Sequence, residues 1–179
     1  MLLSIGSQEF NGGQIIKTEA TSHKKMPQNT EEQYRILKKK YDLPPFEELD
    51  REFDIGGIDE SAVSSKIVVK KMIEKIDFFS KIFEEIIQPD TNPASLHECS
   101  IFEDPEKMKI LEIYKKLYYY NRSYVELELV CEEKKFAEYI KWLHDEWKHV
   151  KPKILPIIQK LKKSWLKDTD TKTELEYFG

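Results

Sequence analysis

Glycine is almost missing from the interior of this chain. Of six glycines, Gly6, Gly12, Gly13 and Gly179 lie near the ends and Gly56-Gly57 form a pair, leaving none between Ile58 and Asp168. A stretch that long without glycine has few places for the positive-φ turns on which hairpins depend, and this argues against a sheet. Cysteine is scarce too. Cys99 and Cys131 stand in unrelated contexts with no CxxC spacing, which predicts buried or partly buried thiols in a reducing compartment. No window approaches the uncharged apolar length that a membrane span requires. The first residues, MLLSIGSQEF, lack a basic leader and a long apolar run, so no secretory signal is read there and a cytoplasmic protein is expected. The net charge of -4 excludes a surface built throughout for nucleic acid, although it leaves room for a local basic patch.

What the chain does contain is helical periodicity. With 40% hydrophobic and 35% charged residues over 179 positions, it has the make-up of one domain with an ordinary core and a charged surface. Residues 1–29 show no regular period and are read as a flexible tail, with translation expected to start at Met26. Residues 30–57 form a short helical arm. Tyr34, Leu37 and Tyr41 share one stripe, a Pro44-Pro45 elbow follows because proline fixes its own φ and restricts its predecessor, and Phe46, Leu49 and Phe53 mark a second short helix ended by Gly56-Gly57.

Residues 58–167 carry three long seams, and 168–179 are read as a C-terminal tail. The first seam is Ala62, Ser65, Val69, Met72, Ile76, Phe79, Phe83 and Ile86, over about 30 helical residues, stopped by Pro89. The second, opened by Asp104-Pro105-Glu106 as N-cap and first turn, is Ile110, Ile113, Leu117, Tyr120, Tyr124, Leu127 and Cys131. The third is Phe136, Ile140, Leu143, Trp147, Val150, Ile154, Ile157 and Leu161. The five-residue step from Cys131 to Phe136 breaks the register and predicts a tight turn, and Pro152 predicts a kink or restart at Lys151-Pro152. The expected fold is all-α: an antiparallel bundle of three long helices plus one or two short N-terminal helices. Coiled-coil pairing between copies is the other use such seams permit.

Candidate chemistry is sparse. Glu146-x-x-His149 has the spacing of one half of a di-iron carboxylate motif, yet no second Glu-x-x-His occurs, and the neighbouring seam turns both residues toward the flank. The surroundings of His144 and His149 read as solvated surface. His97-Glu98-Cys99 falls in a stretch, Pro89 to Glu103, that reads as the longest loop, where a nucleophile is conceivable. Glu103-x-x-Glu106 reads as stabilisation of a helix N-terminus. No catalytic residue, metal site or cofactor is assigned.

Two surface features remain. Tyr114, Tyr118, Tyr119, Tyr120 and Tyr124 crowd one helix, and Tyr118 and Tyr119, beside Asn121 and Arg122, face partly outward as interface residues do. From Trp147 to Lys167 there are seven lysines and no acid, while 46–60 holds seven acids against Arg51 alone. Lys148, Lys151, Lys153, Lys160, Lys162, Lys163 and Lys167, with Trp165, are the candidate binding patch, unless the acidic arm covers them. The expected role is that of a non-enzymatic bundle acting through protein–protein interaction, as an adaptor or a homo-oligomer. The alternative is a nucleic-acid-associated protein using the lysine-rich 148–167 helix.

Overall fold

A computed structural model describes residues 29–58 and 63–166, and within them the protein has six α-helices and no strand. The proposed tails, the Met26 start, Ala62 and Lys167 lie outside the described residues. The helices are α1 (Thr30–Tyr41), α2 (Phe46–Phe53), α3 (Ser65–Ile87), α4 (Pro93–Ser100), α5 (Asp104–Val130) and α6 (Glu133–Ser164). A single turn of 3-10 helix, Ile55–Gly57, follows α2.

Each start has a local cause. The Asn29 side chain accepts from the Glu32 N–H at 2.8 Å, Ser64 accepts from the Ile67 N–H, and Asn92 accepts from the Ser95 N–H at 2.9 Å, so amides without helical partners are satisfied at α1, α3 and α4. At α5 the cap is Glu103 and not Asp104. Its N–H donates to the Glu106 carboxylate three residues on, at 3.0 Å, which is the reciprocal half of a capping box.

The three seams form one core. Met72, Ile76, Phe83 and Ile86 of α3, Ile110, Leu117 and Tyr120 of α5, and Phe136, Ile140, Leu143, Trp147 and Val150 of α6 are all buried. Helix α3 packs against both α5 and α6. Its start meets the end of α5 through Lys66 and Glu128, so those two run antiparallel. The start of α5 meets the end of α6 through Glu106 and Lys160 at 2.6 Å, so these also oppose. Consequently α3 and α6 run the same way, with the Ser65 N–H on the Glu133 carboxylate at 2.6 Å and Phe79 against Trp147 at 5.9 Å.

The short helices close the open side. Tyr34 and Leu49 are fully buried. The Tyr34 hydroxyl donates to the Pro44 carbonyl at 2.8 Å, so the Pro-Pro elbow is locked by a residue of the preceding helix.

Several expectations need correction. Helix α6 runs without interruption through Pro152 and Pro156. Proline's φ is already helical, each ring removes only one amide donor, and both rings lie on the exposed side, where water can hydrate the released carbonyls. The buried seam on the opposite side, including Ile154 and Leu161, holds the helix through them.

Gly56 does not end α2 by a positive φ. That turn is made by Asp54 at φ 56°. At Gly56 the Asp50 carboxylate accepts from the N–H at 2.6 Å, and a Cβ there would lie 2.8 Å from the same oxygen and displace that side chain. The stretch Pro89 to Glu103 is not a loop, since α4 occupies its middle with Pro93 in the first turn.

Cys99 is half-buried but Cys131 is exposed. Cys131 takes the left-handed conformation (φ 57°) that turns α5 into α6. The tight turn expected at the register break is therefore present, and the residue making it leaves the seam. His144 is buried rather than solvated.

Leu117 is fully buried at the α5 seam, and truncating it leaves a cavity. The Leu117→Ala variant is expected to lose about 2–5 kcal/mol of unfolding free energy, as measured by urea denaturation. A loss near zero would contradict the packing described.

Candidate functional site

At 3.6 residues per turn, the lysines of α6 cannot form one face. Lys148, Lys151 and Lys162 lie to one side of the buried seam and Lys153 and Lys160 to the other, each row centred roughly 100° from it, while Lys163 lies at the back, opposite the seam. The sequence run therefore resolves into two rows on opposite flanks.

The first flank is occupied. Helix α2 lies along it, with Phe53 against Trp147 at 5.6 Å. Glu52 accepts from the Trp147 indole N–H at 3.0 Å and from Lys151 at 2.6 Å. Burial alone would raise the Glu52 pKa, but the hydrogen bonds from Lys151 and Trp147 outweigh it and hold the carboxyl below its usual range. Glu48 reaches the buried His144 imidazole at 3.4 Å. Lys148 pairs with Asp145 on α6 itself, at 3.0 Å. Among the described residues the acidic arm thus meets the basic helix at its middle, at His144, Trp147 and Lys151.

The second flank is open. Between the first half of α5 and the second half of α6 runs a groove of about 690 Å³. Its apolar lining comes from Phe102, Ile110, Ile113, Val150 and Ile157, and its rim carries Lys109, Lys116, Lys153 and Lys160 with Glu106 and Glu112. Two ion pairs cross it. Lys160 meets Glu106 at 2.6 Å at one end, and Lys116 meets Glu146 at 2.7 Å at the other. The crossings are separated by ten residues on α5 and fourteen on α6, or roughly 15–21 Å of helix.

Both crossings are charge-stabilised. Lys160 and then the Glu103 amide hold Glu106 below the usual carboxylate range. Lys116 and then the Tyr120 hydroxyl, which donates at 2.6 Å, do the same for Glu146. In return burial, then Glu146, pushes the Tyr120 phenol far up, so it stays a donor. Between the crossings, neither Lys109 nor Lys153 forms an ion pair among the described residues, although the charge of Lys109 helps to hold Glu106 ionised.

The remaining candidates separate. Lys162 and Lys163 are exposed in the last turn of α6, and Lys167 lies outside the described residues. Trp165 is half exposed, donates to Glu98 at 2.9 Å and stacks on His97 at 4.5 Å, so His97 and Glu98 serve to dock the end of α6. In the Glu146-x-x-His149 pair, Glu146 is committed to α5 while His149 is exposed. Among the described residues no three of His, Cys, Asp and Glu converge as a metal would require, and no helix is long and apolar enough to cross a membrane.

Of the tyrosines, Tyr120 is buried and Tyr124 half-buried, whereas Tyr118 and Tyr119 are exposed. Arg122 covers the Tyr118 ring, and Tyr119 meets Trp142 edge-on. The groove itself was not singled out by sequence reasoning. Its signal was the position of Pro156 and Ile157 between two lysines of one row.

His144 gives the arm a pH dependence. Burial first, then Lys148, lowers its pKa, against opposing pulls from Glu48, Asp145 and Glu52. The fold therefore prefers neutral imidazole. The unfolded chain takes up the proton first as pH falls, so stability present above the ordinary histidine pKa is lost on acidification. Lowering the pH from about 7.5 to about 5.5 is expected to reduce the unfolding free energy, and His144→Gln to flatten that slope; an unchanged slope would remove His144 as its source. Against models of protein families, curated proteins and solved structures, the chain shows no match.

Proposed function

We propose that this is a non-enzymatic helical-bundle protein that acts through protein–protein interaction, as an adaptor or a homo-oligomer, with the α5–α6 groove as its contact surface. The observation that carries this reading is the groove itself, lined by apolar side chains, with Lys109 and Lys153 between its two crossings forming no ion pair among the described residues. Phe102, Ile110, Ile113 and Val150 form the buried floor, and the apolar surface left for a partner is that of Pro156 and Ile157 with the alkyl stems of the rim lysines. A row of charge around an apolar strip is also the usual make-up of a recognition site, with the strip supplying affinity and the rim supplying orientation and rate. The polar groups beside the groove support recognition rather than catalysis. Glu106, Glu146 and Tyr120 are engaged in structural hydrogen bonds, and no serine, threonine, cysteine or histidine lies among the lining residues.

The nucleic-acid reading, through the lysine-rich 148–167 helix, is the lesser one. Lys148, Lys151 and Lys160 are matched by Asp145, Glu52 and Glu106, the rows diverge, and lysine without arginine gives no bidentate phosphate contact.

A photoreactive residue placed at Lys153 in the groove is expected to cross-link the intact chain to protein, either a partner or a second copy. The same residue at exposed Lys39 on α1 should not. Light scattering on the purified chain separates adaptor from homo-oligomer. Cross-links only to nucleic acid, or none above the Lys39 control, would overturn the proposal.

A further inference from the structure

Helix α6 presents similar chemistry on its two flanks, and the occupied one shows what fits the other. On the first flank, α2 is a two-turn acidic amphipathic helix, Phe46–Phe53, with Leu49 and Phe53 turned inward and buried. It buries apolar side chains beside Trp147 and directs a carboxylate to Lys151. The second flank offers Val150 and Ile157 where the first offers Trp147, and Lys153 where the first offers Lys151. Across the groove α5 adds Ile110, Ile113 and Lys109.

We infer that the α5–α6 groove binds an acidic amphipathic helix of a partner protein, of the same chemical type as α2 and about three turns long. The length follows from the spacing of the crossing ion pairs, which leaves roughly 15–21 Å of groove, or about 10–14 helical residues. Charge complementarity fixes the sign. The groove's lysines outnumber its acids, and two of the acid–lysine pairs are already satisfied at the ends by Glu106–Lys160 and Glu146–Lys116. Among the described residues Lys109 and Lys153 form no ion pair, and with Glu112 as the one further carboxylate on the rim the middle of the groove keeps an excess of positive charge. The geometry also favours a helix over a single acyl chain, because a cleft open along its length leaves one side of an alkyl tail in water, whereas an amphipathic helix keeps its polar face there. The expected partner places apolar residues at i, i+3 and i+7 on the groove lining, with Asp or Glu on the flanking positions.

The inference rests on the groove being a protein-binding surface, and its test separates the two. The probe is a labelled, end-blocked amphipathic peptide of about 14 residues, with leucines on one face and glutamates flanking them, titrated against the full chain by fluorescence anisotropy. The expected result is saturable binding that weakens with salt and falls at least about tenfold in Lys109→Glu/Lys153→Glu. A peptide with lysines in place of the glutamates should bind that variant better than it binds the wild type. Both substituted side chains are exposed, and Lys109→Gln/Lys153→Gln provides a milder version should the reversal perturb folding. Equal binding of a glutamine-for-glutamate peptide would overturn the inference, as would binding of laurate but not of the peptide, or a chain whose own dimerisation is abolished by the lysine reversal. Protein cross-links at Lys153 without peptide binding would leave the interaction reading standing and remove the acidic-helix chemistry; loss of both would remove the two together.

Discussion

Burial of the α6 seam from Phe136 to Leu161 is the interaction on which the rest of the molecule depends. That single line of side chains meets α3 through Phe79 and Trp147, and it supplies the surface on which α2 seats Phe53. It also forms the wall from which Lys160 and Glu146 reach α5. A helix of 32 residues with two lysine rows is poorly stabilised by local propensity alone and needs tertiary packing along its apolar stripe. The stripe leaves two flanks, and a carboxylate–lysine pair joins α6 to its neighbour on each, Glu52–Lys151 to α2 and Glu106–Lys160 and Glu146–Lys116 to α5. Core packing sets where α6 lies, and charge decides what lies beside it.

The two prolines show how this hierarchy works. A proline in a helix interior ordinarily costs about 3 kcal/mol or more, and two in one helix would break it if local preference ruled. Here they stand four residues apart on the exposed side, while Ile154 and Leu161 remain buried on the other. The loss falls on carbonyls that solvent can reach, and the seam is spared. Pro156 lies at the groove, in the span of α6 between the two crossing ion pairs. Within that span Lys153 has no carboxylate partner among the described residues.

Most of the helical architecture was legible in the chain because it is written in apolar spacing. The seams through Met72, Leu117 and Leu143 are each buried along most of their length, and the step between Cys131 and Phe136 located the α5–α6 turn. What escaped was local or relational. Helix α4 has only eight residues and little amphipathic pattern, so periodicity missed it, although Asn92-Pro93 carried a cap-and-first-turn signal. Continuity through Pro152 depended on where its ring faces, which needs tertiary packing to know. His144 reads as surface by composition, yet Glu48 of α2, distant in sequence, helps to cover it. The candidate patch was recovered only as its parts. The lysine run is plain in the sequence, but its division into a covered and an open flank depends on which acids each row meets.

That division bears directly on function. Had Lys153 and Lys160 been covered by acids of the arm as Lys151 is, α6 would present a neutralised surface, and nothing would distinguish it from the outer helix of any bundle. The acids of α2 instead stop at Glu52, and the ion pairs across the groove lie at its two ends, through Glu106 of α5 at one and Glu146 of α6 at the other. Among the described residues, the middle of this lysine-rimmed strip holds Lys109 and Lys153 against the single carboxylate of Glu112. Internal neutralisation would have stabilised the bundle while closing that surface. The contrast between the two flanks of one helix is therefore one of degree, α2 covering the first while the second is joined to α5 by ion pairs at its two ends and stays open between them.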